Sequence, residues 1–194
     1  MIKNQKPEEK ILKIAVEIAK EGKGALFIIG NIAHKRLLKQ QFRPFSIFES
    51  GSEKLVKSLA ELDGAVIIDK KGVVKDYGAM ITITKTIKGY GTRHAAALTA
   101  SNNGNTSILC SEEKRKVKIF KNNKYIMQID ALQKDVMKGL PKAISLLESI
   151  GAGALGTIGT TIVAPQFAIT LPAGILIFGA SYYALREIIR RWRF

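Results

Sequence analysis

Apolar and polar positions alternate along the chain in two distinct rhythms. Residues 8–20 place Ile11, Leu12, Ile14, Ala15, Ile18 and Ala19 at helical spacing, with Glu8 and Glu9 in the first turn and Gly22 and Gly24 beyond the end. Ala25-Leu26-Phe27-Ile28-Ile29 is an unbroken apolar run closed by Gly30-Asn31, the pattern of a buried strand. Residues 31–51 carry a basic cluster (His34, Lys35, Arg36, Lys39) and a turn-like Arg43-Pro44-Phe45, without a clear period. Residues 52–62 read as a helix capped by Ser52, with Leu55, Val56, Leu59 and Leu62 on its apolar face.

Strand signals dominate from there. Ala65 to Ile68, a Lys70-Lys71-Gly72 turn and Val73-Val74 predict a hairpin, and Ala79 to Ile83 a further strand. The alanine-rich segment Thr92 to Ala100 reads as a helix. Ser107 to Cys110, Val117 to Phe120 and Tyr125 to Ile129 read as strands, the last two joined by Lys121-Asn122-Asn123-Lys124. This order predicts one mixed α/β domain over residues 1–130. Residues 131–148 are amphipathic and basic, and predict a linker helix broken at Gly139-Leu140-Pro141.

The tail differs in kind. From Ser149 to Leu185 no residue carries a charge, and Pro165-Gln166 divides the run into a Gly- and Ala-rich half and a more apolar half. One membrane crossing takes about 20 apolar residues, so the run is long for a single span. Lys134, Lys138 and Lys142 precede it, and Arg186, Arg190, Arg191 and Arg193 follow it. Both flanks favour the cytoplasmic side, which a helical hairpin over residues 149–194 satisfies. Gly151, Gly153, Gly156 and Gly159 allow close helix packing, and Trp192 suits an interfacial anchor. A chain anchored to the cell membrane, with its soluble domain in the cytoplasm, is the expectation; one crossing by residues 167–185, or packing on protein, is the alternative.

Composition adds little. A net charge of +15, from 31 Lys and Arg against 16 acids, favours an anionic partner: nucleotide, nucleic acid or lipid. Few aromatics are interleaved with the basic residues, so a single-stranded nucleic-acid platform is not expected. The lone Cys110 lies in an apolar run and reads as a buried strand residue. The N-terminus shows no apolar core of a secretory signal.

Three short clusters carry candidate chemistry. In Asp63-Gly64-Ala65, directly before a strand, the carboxylate suits a divalent metal or a proton, and the glycine lets a ligand approach the backbone. Gly89-Tyr90-Gly91-Thr92-Arg93-His94 opens a helix, where free amides and a guanidinium suit phosphate, although no Walker ending is present. Ser111-Glu112-Glu113 follows a strand and offers a hydroxyl and carboxylates. Taken singly, each also fits an ordinary turn or a helix start.

In order and spacing the three resemble the diadenylate cyclase (DAC-domain) family. That family has Asp-Gly-Ala, then Gly-Thr-Arg-His-Arg some thirty residues on, then Ser-Glu-Glu or Ser-Glu-Ser. The matches are Asp63-Gly64-Ala65, Gly91-Thr92-Arg93-His94 and Ser111-Glu112-Glu113, and the likeness to archaeal-type members reaches back through Ala25 to Gly30. Two positions depart: Ala95 stands for the family's second arginine, and Glu113-Lys114-Arg115 for a small residue and glycine.

The resemblance implies a single mixed β-sheet flanked by helices, followed here by the hydrophobic hairpin. It implies ATP as substrate, Mn²⁺ or Mg²⁺ as cofactor, and a face-to-face homodimer that makes cyclic di-AMP and releases two pyrophosphates. By the same likeness Asp63, Arg93 and His94 are catalytic, and Asp63 and Glu112 hold the metal. Gly64, Ala65, Gly91, Thr92, Arg93, His94 and Ser111 bind the nucleotide. Loss of the second arginine leaves a nucleotide-binding sensor without turnover as the alternative.

Overall fold

A computed structural model of the chain describes residues 5–37, 43–86, 89–151, 169–171 and 174–177. Helix α1 (Pro7–Lys20) starts on a proline, whose missing N–H costs nothing at that position. Its apolar stripe is fully buried. Strand β1 (Ala25–Ile29) lies at the centre of the sheet and is buried along its whole length, as its unbroken apolar run requires.

The long crossover from β1 contains helix α2 (Ser52–Ala60) and leads to β4 (Ala65–Ile68), which pairs with β1 in parallel through Phe27–Val66 and Ile29–Ile68. Among the described residues every other pairing is antiparallel. Strand β5 (Val73–Met80) closes the expected hairpin on β4 and carries two short edge strands, β2 (Lys35–Arg36) and β3 (Phe45–Ser46). On the other side of β1 lie β6 (Thr106–Ser111), β7 (Lys116–Lys121) and β8 (Lys124–Asp130). Helix α3 (Thr92–Ala100) enters between β5 and β6. Asn122 and Asn123, both at positive φ (52° and 56°), make the tight β7–β8 turn.

The pleat sorts the core into two layers. Phe27, Ile29, Ile108 and Cys110 face α1, α2 and α4 (Val136–Gly151). Leu26, Ile28, Leu109 and Phe120 face α3 through Ala97, Leu98 and Ala100. A mixed sheet with helices on both faces is the architecture the sequence predicts. Cys110 is buried, donates its thiol hydrogen to the Ala15 carbonyl at 3.3 Å, and has its pKa pushed up by burial. It is the inert strand residue expected.

Several local expectations are corrected. Ser52 is not the cap of α2: Gly51 is, at φ 80°, and Ser52 donates to the Ile47 and Glu49 carbonyls at 2.7 Å each. The helix buries Val56 and Ala60, while Leu55 and Leu62 are exposed. The strand expected at 79–83 ends at Met80 as part of β5. Helix α4 runs without a break through Pro141, because Val136, Leu140, Ala143 and Leu147 are held in the α1-side core.

Of the uncharged tail, the described residues are few. Ser149 to Gly151 finish α4. Where a second hydrophobic helix was expected, β9 (Ile169–Leu171) and β10 (Ile175–Ile177) form an antiparallel pair that extends the sheet beyond β8. Their β-branched residues favour that state. The rest of the expected hairpin lies outside the described residues. Among the described residues no helix is long and apolar enough to cross a membrane.

Candidate active site

Sheet direction brings the three sequence clusters together. Parallel β1 and β4 both begin, and antiparallel β6 ends, at the same end of the sheet, since Ala25 pairs with Cys110. Gly24, Asp63 and Glu112 are therefore neighbours there. Helix α3 starts over this end, capped by Gly91, whose carbonyl accepts the amides of His94 and Ala95 at 3.1 and 3.2 Å. Its first turn leaves amides pointing outward without intrahelical partners.

Arg93 is the hub. Its guanidinium lies 3.9 Å from an Asp63 oxygen and 4.0 Å from a Glu112 oxygen, bridging two of the clusters from the third. The side chains of Asp63, Arg93 and Glu112 are 82%, 50% and 67% exposed, so charged groups of both signs stand open to a ligand. Between exposed groups at such distances the attraction contributes little to stability. Room for Arg93 comes from Gly24, where a Cβ would collide with the guanidinium.

The other predicted residues take varied places. Gly64 sits at φ 98° with its Cα against β5, where a Cβ would come within 2.5 Å of the Gly78 carbonyl carbon. Only glycine fits there. Asp63 accepts the Gly64 amide at 3.0 Å. Ala65 is buried under α3 and offers a ligand no side-chain surface. Gly91 and Thr92 are exposed at the start of α3, and Ser111 is half-buried at the end of β6. Among the described residues, no group of three or more His, Cys, Asp or Glu side chains is gathered for a metal. Two carboxylates are available, Asp63 and Glu112.

His94 is half-buried, with one ring nitrogen directed inward. Its Nε2 lies 2.7 Å from Nζ of Lys118, a β7 residue, and its ring centre is 4.7 Å from that of Tyr90. Burial, then the charges of Lys118 and Lys114, bring its pKa down to about 4. Lys118 is brought down to about 8 by burial first and by Lys114 and Lys116 after that.

Sequence reasoning missed Lys118 and Gly24. A signal existed for Lys118: on a strand of period two it is in phase with Phe120, on the buried α3 side. Gly24 has no such signal, since a glycine beyond a helix end is explained as a stop.

A family model described as DisA bacterial checkpoint controller nucleotide-binding (DAC) matches residues 13–125, from within α1 to the start of β8. The chain belongs to the DAC family. Two similar relatives are archaeal proteins named diadenylate cyclase. The one from Methanocaldococcus jannaschii is 30% identical over 144 residues, 66% of this chain and 47% of that protein. The one from Haloferax volcanii is 32% identical over 139 residues, 62% of this chain and 51% of its own length. The chain thus spans about half the length of the curated relatives it matches. Among solved structures it is similar to a double cysteine mutant of DacA from Staphylococcus aureus. That likeness has 17% identity and a TM-score of 0.49, over 74% of this chain and 93% of that one.

Both departures from the DAC pattern have a structural setting. Ala95 is 5% exposed, on the inner side of α3. Arg115 stands at the end of the β6–β7 turn with φ 46°, a left-handed conformation that glycine adopts more easily.

Proposed function

We propose that this chain is a diadenylate cyclase, joining two ATP molecules into cyclic di-AMP and releasing two pyrophosphates. The observation that carries the reading is the convergence of Asp63, Arg93 and Glu112 at one open end of the sheet. Family membership and the names of the archaeal relatives support it.

The chemistry is two in-line displacements. Each ATP 3′-oxygen attacks the α-phosphorus of the other ATP, the bond to pyrophosphate breaks, and the 3′-hydroxyl proton leaves. Asp63 accepts that hydrogen. Gly64 keeps the backbone low enough for ribose to lie against it. Thr92, Arg93 and the α3 amides hold phosphate oxygens, and Ser111 adds a hydroxyl; His94 lies beside them. Little covalent work falls to the protein, so positioning and charge stabilisation account for the rate.

Asp63 and Glu112 fit a divalent cation, because Mg²⁺ and Mn²⁺ take carboxylate oxygens and fill the remaining positions with phosphate and water. Held by Asp63 and Glu112, such an ion would supply positive charge for the phosphates. An end this exposed also suits closure by a second copy carrying its own ATP, which two mutual attacks require.

Ala95 favours a second reading, a relative that binds nucleotide without turnover. The two separate in one experiment. The chain is incubated with ATP and Mg²⁺ or Mn²⁺, and the nucleotides are resolved by mass spectrometry. Cyclic di-AMP with two pyrophosphates per product is the expected result. ATP bound but unchanged with both metals would replace the cyclase reading with the second.

A further inference from the structure

Lys118 is a buried ammonium beside an open anionic-ligand site. It lies in register between Leu109 and Gln128 on the α3-covered face, and is only 2% exposed. Burying a charge is costly, so a lysine there demands an explanation. Its partners among the described residues are a ring nitrogen and an aromatic face: His94 Nε2 at 2.7 Å and the Tyr90 ring centre at 4.8 Å. Neither is a carboxylate.

An ammonium has three hydrogens to donate and no lone pair to accept with. The short contact therefore needs a lone pair on Nε2, which puts the single imidazole proton on Nδ1. Tyr90 tilts against the ring from one side and Phe120 meets it edge-on. His94 is thus oriented within the first turn of α3, next to Arg93.

We propose that Lys118 is a positioning residue that fixes His94 as the neutral Nδ1–H tautomer, so that His94 meets a nucleotide phosphate as a hydrogen-bond donor. This rests on the nucleotide reading given above, and it does not depend on turnover. The groups around the pair are Lys114 and Glu113 from the β6–β7 turn, Lys116 on β7 and Tyr90 ahead of α3. From β8 the residue opposite Lys118 is the uncharged Gln128, bonded to the Tyr125 hydroxyl at 2.8 Å.

The lowered values bracket a working range. His94 protonates only near pH 4, and Lys118 keeps its proton up to about 8. Between them the pair carries one charge, on Lys118. Above that range the neutral amine both donates and accepts, the Nδ1–H tautomer is no longer enforced, and phosphate binding weakens.

The chain has 2 histidines, so its imidazole ¹⁵N spectrum is readily assigned, with His94→Gln marking one ring. Spectra of the full chain are recorded from pH 6 to 9, and ATP affinity is measured by calorimetry over the same range. The wild type is expected to show protonated Nδ1 and bare Nε2 at pH 6.5, with a transition and a loss of affinity near pH 8. Lys118→Met removes a buried charge and is expected to melt no lower than the wild type. It should bind ATP about tenfold more weakly at pH 7, without the alkaline decline, the loss of one charge-assisted hydrogen bond. An Nε2–H tautomer in the wild type at pH 6.5 would overturn the proposal, as would a folded Met variant binding ATP within twofold of wild type. If that variant does not fold, the wild-type tautomer and pH profile decide. A wild type that binds ATP but forms no product contradicts the cyclase reading alone; one that binds no ATP contradicts both.

Discussion

Asp76 shows how much one side chain can settle. It is buried in β5 and accepts from His34 Nε2 at 2.8 Å, Arg36 Nε at 2.5 Å and the Tyr77 amide at 2.9 Å. Burial alone would raise its pKa, but the His34, Arg36 and Tyr77 hydrogen bonds outweigh it and hold the value below the usual 3.8. A lowered folded value means that stability is present above the unfolded pKa and lost as pH falls through the folded one. Asp76→Asn is expected to cost about 1–3 kcal/mol in urea unfolding at pH 7, with the difference shrinking towards pH 3. Gly24→Ala makes the contrasting case, since what it displaces is the far end of a flexible arginine. Its melting temperature should stay within about 2 °C of wild type while ATP binding drops several-fold. Unchanged binding would mean that the guanidinium's seat over Gly24 is unimportant. At this scale Asp63, Arg93 and Glu112, which the fold brings together, stand out as candidates because they lie in short motifs. Lys118 is harder to read, because a lysine alternating with Val117 and Ile119 looks like the solvent face of a strand unless its phase with Phe120 is weighed.

The elements that bear the site are those whose periodicity is cleanest. Strand β1 and helix α3 have the limits read from the sequence, since an unbroken apolar run and an alanine block leave no competing pattern. Strands β2 and β3, at two residues each, have no period to read and exist only by pairing with β5. In α4 the proline misled for a physical reason: it removes one intrahelical bond, and a buried apolar stripe compensates for that loss. Leu140, fully buried beside it, tests this directly. Leu140→Ala should destabilise the chain by about 2–5 kcal/mol in denaturant unfolding. A loss under 1 kcal/mol would mean that α4 contributes little to the core.

On the scale of the whole molecule, helices cover both faces of the sheet and the candidate site is left at one end. On the proposed mechanism each of the two new bonds in cyclic di-AMP needs its own Asp63, so a dimer with one defective member would close no ring. Mixing wild type with Asp63→Asn at fixed total protein should lower activity as the square of the wild-type fraction. A linear decline would show that one protomer suffices. The uncharged tail was the least legible part. Its apolar run fits a helix or a strand equally well, and β9 and β10 take strand pairing at the β8 edge.

The most direct measurement compares cyclic di-AMP formation by the wild type, Asp63→Asn, Arg93→Ala and Glu112→Gln under saturating ATP and metal, alongside their melting temperatures. All three side chains are exposed or half-exposed, so the variants should melt with the wild type. Each should lose at least about 100-fold in rate, as removal of a proton acceptor or a charge-stabilising group does. A variant at full activity would show that the cluster around Arg93 is not where the chemistry occurs.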